Sequence, residues 1–461
     1  MMTFHIQTLQ RRRQLYRVAI PIAALSVFAI FALLWATGFQ SVAFTLLRIL
    51  GVEPHGVPFL DTEAVLAAAE CHQRGIDVYL SNPCDTLGRV HAYSPLWLAI
   101  IPPMFGTTAT PWIGAALDLL FILLLPILIR GRDGREIVVL TIAIFSPMTV
   151  YALERANNDL VVFLMVVAGG LLLSRRSHWR FCSYAVFAAA ALLKYYPAIL
   201  LVMAARERRR DVVLVAVGAA AAAALFAVFY HAELGHAWAN IPLAERFTDS
   251  FSAQNLPFGL IENQRVLRLA TPAADGLLAI LAIFAVLRAR RMAAMLNALR
   301  VDWNTRHLCF AAIGSLLITG CFFAGQNINY RGIYFLFVLP GLLELYTLAD
   351  SGKTRRLLSL LIAATLFVMW DEFFRRALMA GLSQVPSPAL ANHCAMLFWV
   401  VRELIWWWLI AGLAAVSICY LIRQPLLDQA CEGLVRRWPG LGARLATGSA
   451  RVGRAEPTGL G

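Results

Sequence analysis

Between residues 154 and 159 the chain reads Glu154-Arg155-Ala156-Asn157-Asn158-Asp159, with apolar runs on both sides. Carboxylates, a guanidinium and carboxamides packed this densely form a hydrogen-bonding shelf. The plain alternative is a polar turn between helices, but such turns favour Gly, Ser or Pro. Ionisable groups at membrane depth cost on the order of 3 kcal/mol each and mark function by default. Upstream, Asp61 follows an apolar approach and opens the helical pattern "DTEAVLAAAE". Its carboxylate can act as a general base toward a hydroxyl, and it reads equally as a helix N-cap.

Of 40 basic residues only Lys194 and Lys353 are lysines. Lys194 stands inside an apolar stretch, before Tyr195, Tyr196 and Pro197. An ammonium there can meet a lipid phosphate, with the tyrosine hydroxyls as further donors. Pro197 breaks the helix and exposes donors beside them. The bland reading is a side chain snorkelling to the interface. "GQNINYRG" (325–332) offers Arg331 as a bidentate phosphate partner. Its Gln326, Asn327, Asn329 and Tyr330 suit sugar hydroxyls, unless the stretch is only an interfacial loop. "HAELGH" (231–236) lacks the zincin spacing and reads as an interfacial loop. Arg402 and Glu403 read as a structural ion pair.

The elements that carry these groups are apolar. The chain of 461 residues is 60% hydrophobic and 15% charged, with a mean hydropathy of +0.68, where a soluble protein carries about a quarter charged residues. Runs long enough to cross a bilayer recur from end to end, so an all-α polytopic membrane protein is expected. The net charge of +13 comes from arginines at the ends of these runs, as at Arg11–Arg13, Arg208–Arg210 and Arg288/Arg290/Arg291. That is the positive-inside pattern of short cytoplasmic loops, and it argues against nucleic-acid binding. The first run, about 18–38, is too long for a signal-peptide core and lacks a small-residue cleavage site, so a retained anchor is expected.

Placing the basic clusters in the cytoplasm gives ten full spans, about 18–38, 111–130, 136–150, 160–174, 212–230, 276–290, 308–324, 333–348, 357–374 and 395–421. Residues 1–17 then form a cytoplasmic N-terminus and 18–435 the membrane domain. The basic tail, 436–461, is expected to be cytoplasmic and disordered. Two segments do not fit single crossings. "YSPLWLAIIPPMF" (93–105) reads as a bent half-helix returning outward, and 181–205 as a helical hairpin whose "LKYYP" turn points to the outer face. A rival threading makes both ordinary crossings. It sends 154–159 inside and "RGRDGR" (130–135) and "SRRSHWR" (174–180) outside, violating the charge rule twice. In the preferred threading the first loop (51–92), residues 154–159, the "LKYYP" turn, a second long loop (231–275), "GQNINYRG" and 375–394 share the outer face. Cys71 and Cys84 fall in the first loop, where an extracytoplasmic location permits a disulfide; a bridge there would stiffen the loop beside Asp61.

This arrangement resembles the GT-C membrane glycosyltransferases. Within them "FLDTEAVLAAAE", "GIDVY", "YSPLW", "ERANNDL" and "LKYYPAILL" are most similar to glycosyltransferase family 87, over about residues 55–205. That family contains polyprenol-phosphate-mannose-dependent α-mannosyltransferases. The resemblance implies inverting transfer of one sugar, mannose or another hexose or pentose, from a polyprenyl-phosphate donor. The acceptor would be a glycan or glycolipid on the extracytoplasmic face of a cell membrane. Asp61 matches the family's first-loop acid, the expected base. Lys194, Tyr195, Tyr196 and Arg331 are expected at the donor phosphate. Glu154, Arg155, Asn157, Asn158, Asp159, Tyr93, Gln326, Asn329 and Tyr330 are expected around the sugar and acceptor. The family usually has Gly-Gln where this chain has Ala156 and Asn157. The chemistry needs no redox cofactor; a divalent metal is compatible with it, but no feature of the sequence supports one. A transporter or flippase of a lipid-linked sugar would also bury polar groups, but should show internal repeats, and none is visible. A structural subunit would lack the outer-face convergence.

Overall fold

The computed structural model describes residues 2–129, 134–175, 177–243, 245–246, 248–262, 270–299 and 301–424. The expected cytoplasmic tail, 436–461, and the arginines at 130, 132 and 176 lie outside them. The N-terminal part holds helices α1 (Met2–Ala36), α2 (Gln40–Ile49), α3 (Leu60–Gln73), α4 (Leu96–Ile100) and α5 (Thr110–Leu128). The next group is α6 (Gly134–Ile144), α7 (Pro147–Glu154), α8 (Asn158–Leu173), α9 (Ser177–Leu193), a 3₁₀ run (Tyr196–Arg206) and α10 (Arg209–Phe229). Then come α11 (His231–Ala239), strand β1 (Ser250–Phe251), α12 (Asn255–Glu262), α13 (Thr271–Asn297) and α14 (Arg306–Ala324). Strand β2 (Asn327–Ile328), antiparallel to β1, leads through a 3₁₀ turn (Asn329–Tyr334) into α15 (Phe335–Leu348), α16 (Gly352–Met369), α17 (Asp371–Leu382) and α18 (Pro388–Ile422).

Seven of these helices are long and apolar enough to cross a bilayer, and two bent pairs raise the number to nine. The tenth expected span corresponds to α8, which has 16 residues. The expected span at 136–150 is broken: α6 and α7 meet at 50°. Ser146 caps α7, its Oγ accepting from the Thr149 N–H, and Pro147 at the first helical position denies α6 a continuing donor. The expected span at 357–374 breaks at Trp370, where α16 and α17 meet at 60°. Residues 375–394, read as a loop, are therefore mostly helix. Glu372 pairs with Arg375 and Arg376 one turn on, at 2.6 and 2.9 Å, spacings that support a helix.

Residues 93–105 hold only the five-residue α4, ended by Pro102 and Pro103. Residues 181–205 form a hairpin of α9 and the 3₁₀ run, turning at Lys194 and Tyr195. At 2.0 Å per residue the return limb spans roughly 22 Å, more than an α-helix of equal length. Asp61 touches Arg155, so the first loop and residues 154–159 occupy one end of the bundle. The rival threading puts them at opposite ends, and this contact speaks against it.

Helices α14 and α15 form the centre. Their most apolar windows are 72% and 78% buried, against 6% for α10, whose Val213, Val217, Leu225 and Phe229 are exposed where lipid is the solvent. Small residues bring the central pair together: a Cβ on Gly314 would stand 2.8 Å from the Tyr334 carbonyl oxygen. Phe163 of α8 stacks on Phe337 at 4.5 Å and on Tyr334 at 6.3 Å, which fixes the Tyr334 hydroxyl beside the start of α8.

The junction that matters for the site lies between α7 and α8. The N–H of Asn157 bonds the Ala152 carbonyl and that of Ala156 bonds Leu153, the Schellman pattern of a helix end. Its hinge residue, Ala156, has φ +39°, a left-handed conformation in which a Cβ costs roughly 1–2 kcal/mol. Glycine, with no Cβ, removes that cost. We therefore expect Ala156→Gly to raise thermal stability by about 1 kcal/mol with the site intact, and Ala156→Val to lower it. Differential scanning fluorimetry of the purified variants checks both signs.

Candidate active site

Helix α3 begins with backbone donors that lack partners within it, and α7 ends with carbonyls in the same condition. The two ends meet. Phe59 N–H bonds the Glu154 carbonyl at 3.0 Å, Asp61 N–H bonds Arg155 at 3.1 Å, and the Thr62 hydroxyl bonds Ala156 at 2.7 Å. Asp61, 4% exposed, is thereby set against the side chains that follow α7. Arg155 clamps its carboxylate with two bonds of 2.9 Å, from Nε and Nη2, and Asn157 Nδ2 donates to Oδ2. Arg89 approaches Oδ1 at 3.6 Å. Arg89 is itself anchored by Asp85 at 2.7 Å and Glu63 at 3.2 Å, in a loop closed by a Cys71–Cys84 disulfide.

Burial pushes the Asp61 carboxyl up. The charge and hydrogen bonds of Arg155, the Asn157 amide and the charge of Arg89 outweigh it, so the group lies below the ordinary carboxylate range. Nearby His55, whose Nδ1 is 3.2 Å from Arg155 Nη1, is held below its usual value by burial and by that guanidinium.

Asn157 continues the cluster inward. Its Oδ1 lies 3.3 Å from Lys194 Nζ, which pairs with Asp159 at 3.0 Å. Asp159 also accepts from the Tyr196 hydroxyl, which meets that of Tyr334, and has Arg331 Nε at 3.5 Å. Arg331 lies over the Tyr196 ring at 4.9 Å and donates to Asn327. The rings of Tyr93 and Tyr330 lie 5.5 and 5.8 Å from the Lys194 ammonium. Arg89 and Arg155 thus face Asp61, and two cations, Lys194 and Arg331, converge on the single carboxylate of Asp159.

Nine of the residues expected from sequence meet here: Asp61, Tyr93, Arg155, Asn157, Asp159, Lys194, Tyr196, Tyr330 and Arg331. Others point elsewhere. Tyr195 is 48% exposed and packs on Trp238 at 5.9 Å. Glu154 turns to the opposite face of α7, into an apolar cavity of about 460 Å³ that it lines with Asp118, Phe59 and the ring of Trp35. Glu154 Oε2 and Asp118 Oδ1 have no hydrogen-bond partner among the described residues. Asn158 is buried in the first turn of α8, and Gln326 is half-buried in the loop before β2. Asn329 donates to Asp371 at 3.3 Å. Asp371 in turn lies 3.8 Å from Arg402, which pairs with Glu403 at 2.6 Å and donates to the carbonyls of Thr248 and Ser250. That second cluster ties α17, α18 and β1 together, in keeping with a structural ion pair.

The sequence reading missed Arg89, His55, Tyr151, Tyr334 and Asp118. Asp118, a lone acid in an apolar span, carried a signal by its type alone; Tyr334 was hidden at the start of a run that reads as ordinary membrane helix. Among the described residues no three His, Cys, Asp or Glu side chains are grouped to hold a metal ion.

A depressed Asp61 carboxyl stabilises the fold fully above its unfolded value, near 4, and that stability is lost as pH falls through the lower folded value. Asp61 should therefore put no acid limb on turnover between about pH 5 and pH 7. A pH–rate profile whose acid limb vanishes in Asp61→Asn would contradict this if that limb centred near pH 6.

No curated protein and no solved structure matches the chain. Residues 91–320, nearly half of it, match the family model of glycosyltransferase family 87. The match takes in Tyr93, residues 154–159 and the Lys194 hairpin, begins after Asp61 and ends before Arg331. With seven to nine membrane-crossing helices around that region, the chain is a multi-pass membrane protein of glycosyltransferase family 87.

Proposed function

We propose that this protein transfers one sugar from a polyprenyl-phosphate donor to a glycan or glycolipid acceptor, with inversion, on the extracytoplasmic face of the membrane. The family makes sugar transfer the reaction class. The donor reading rests on one observation above all: next to a buried carboxylate, Asp61, two cations, Lys194 and Arg331, converge on the single carboxylate of Asp159. Beside it, across α7, lies an apolar cavity. A phosphodiester would pair with the second of those cations, and a polyprenyl chain suits the cavity.

Of the roughly four lone-pair positions of a carboxylate, Asp61 has three engaged by Arg155 and Asn157. The remaining one, on Oδ1, takes the acceptor hydroxyl proton. The acceptor oxygen bonds the anomeric carbon as the bond from that carbon to the phosphate oxygen breaks. The bonding electrons leave with the polyprenyl phosphate, and single displacement inverts the centre. Lys194 and Arg331 stabilise the charge that grows on the departing phosphate. The reaction as written calls for no redox cofactor and routes no step through a metal.

Purified protein given a short-chain polyprenyl-phosphate sugar and an alkyl glycoside acceptor should form one new glycosidic bond. Asp61→Asn should slow this about 10²–10⁴-fold with donor binding nearly unchanged; retention of more than about a tenth of the rate would remove Asp61 from the role of base. Lys194→Met should weaken donor binding, whereas Lys353→Met, at the far end of the bundle, should not. Equal donor binding by both variants would return Lys194 to a structural role. For orientation, impermeant maleimide should reach single cysteines at Gln73 and Ser351 from opposite sides of the membrane, Gln73 from outside.

A further inference from the structure

A second cavity, of about 380 Å³, lies on the other face of α7 from the apolar one. Its character is opposite. Met148 and Tyr151 of α7 form one wall, the segment bearing Glu245 and Asp249 another, and α17 and the first loop close it with Glu372, Arg376 and Glu53. Two of its lining groups reach the guanidinium that clamps Asp61: Tyr151 Oη lies 3.5 Å and His55 Nδ1 3.2 Å from Arg155 Nη1.

The walls are built to hold their shape. Glu53 joins Arg48 and Arg376 at 2.9 and 3.0 Å, and Glu372 holds Arg375 and Arg376. Arg402 pins the carbonyls of Thr248 and Ser250 at 2.7 Å each, and Asn329 N–H bonds the Asp249 carbonyl at 2.8 Å. The groups left over are those that recognise hydroxyls. Glu245 and Asp249 have no ion-pair partner among the described residues. Asn329 is 2% exposed, lines the cavity and has its Oδ1 without a hydrogen-bond partner. Tyr151 adds an aromatic face, steadied against Tyr330 at 5.8 Å.

We infer that this polar cavity binds the terminal monosaccharide of the acceptor and presents its hydroxyl to Asp61. The inference rests on the reading of Asp61 as base. Carboxylates and an amide oxygen accept from sugar hydroxyls, and the ring of Tyr151 covers the apolar face of a pyranose. Donor lipid and acceptor sugar then approach Asp61 from opposite faces of α7. Two unpaired carboxylates also disfavour an anionic sugar, so a neutral or amino sugar is selected over a uronic acid or sugar phosphate.

The test uses the full chain in nanodiscs with three diazirine-bearing alkyl glycosides, of α-mannose, α-glucose and β-galactose, and a glucuronide as the anionic control. Photolabelling mapped by mass spectrometry should place at least one neutral probe on residues 147–151 or on Glu245, Thr248 or Asp249. The glucuronide should label these positions about tenfold less, and Asp249→Asn should lower neutral-probe labelling about tenfold at unchanged melting temperature. Labelling by none of the probes, labelling confined to other regions, or labelling undiminished in Asp249→Asn overturns the inference. Sugar transfer is measured on the same sample: a labelled cavity without transfer defeats the catalytic reading alone, and transfer without cavity labelling defeats the acceptor subsite alone.

Discussion

The site depends on one contact between two helix ends. Helix α3 must satisfy its first backbone donors and α7 its last carbonyls, and neither can do so with its own residues. By closing on each other they hold Asp61 at a fixed place relative to Arg155 and Asn157, across a sequence separation of 94 residues. Backbone bonds do this, so the carboxylate is positioned before its own side-chain partners are counted. The left-handed turn at Ala156 completes the seat by turning the chain so that Asn157 caps α8, its Oδ1 accepting from the Asp159 N–H at 2.8 Å, while its amide still reaches Asp61.

Charge follows from the same junction. A single buried ion would be expensive at this depth, and the effective cost remains several kcal/mol even after relaxation. Here each acid is met by a cation with good geometry, and the carboxamide of Asn157 links the two pairs into one network. Breaking either pair leaves an uncompensated charge. Local low dielectric makes the second cation on Asp159 felt strongly by whatever anion arrives. Preorganisation of this kind suits the proposed reaction, in which charge builds on a leaving phosphate.

Much of this was legible in the sequence, for identifiable reasons. Apolar length gave the spans, because a bilayer imposes a minimum run. Ionisable residues stood out against that background, which is why Asp159, Lys194 and Arg331 could be singled out although they come together only in three dimensions. Direction was harder to read. Glu154 and Arg155 are neighbours, yet the helical turn sends one to the apolar cavity and the other to the site. Tyr195 and Tyr196 part in the same way at the start of the 3₁₀ run. The helix breaks at Ser146 and Trp370 were also hidden, since hydropathy averages over a bend that capping and tertiary contacts decide. Trp370 is one such contact, its Nε1 bonding the Ile142 carbonyl at 2.9 Å.

The long separation between Asp61 and its seat has a consequence for how the protein is made. The first loop is synthesised well before the end of α7 exists. At 5–20 residues per second, the gap of 94 residues leaves α3 without its acceptors for on the order of 5–20 s. Through that interval the only covalent tie in the loop is the bridge from Cys71 to Cys84, which needs nothing from later in the chain. By closing a short ring it limits the shapes the waiting segment can take. The order of events in biogenesis is then loop first, seat second. A ribosome stalled between the two would display a covalently closed loop with an acid that has nothing yet to hold it.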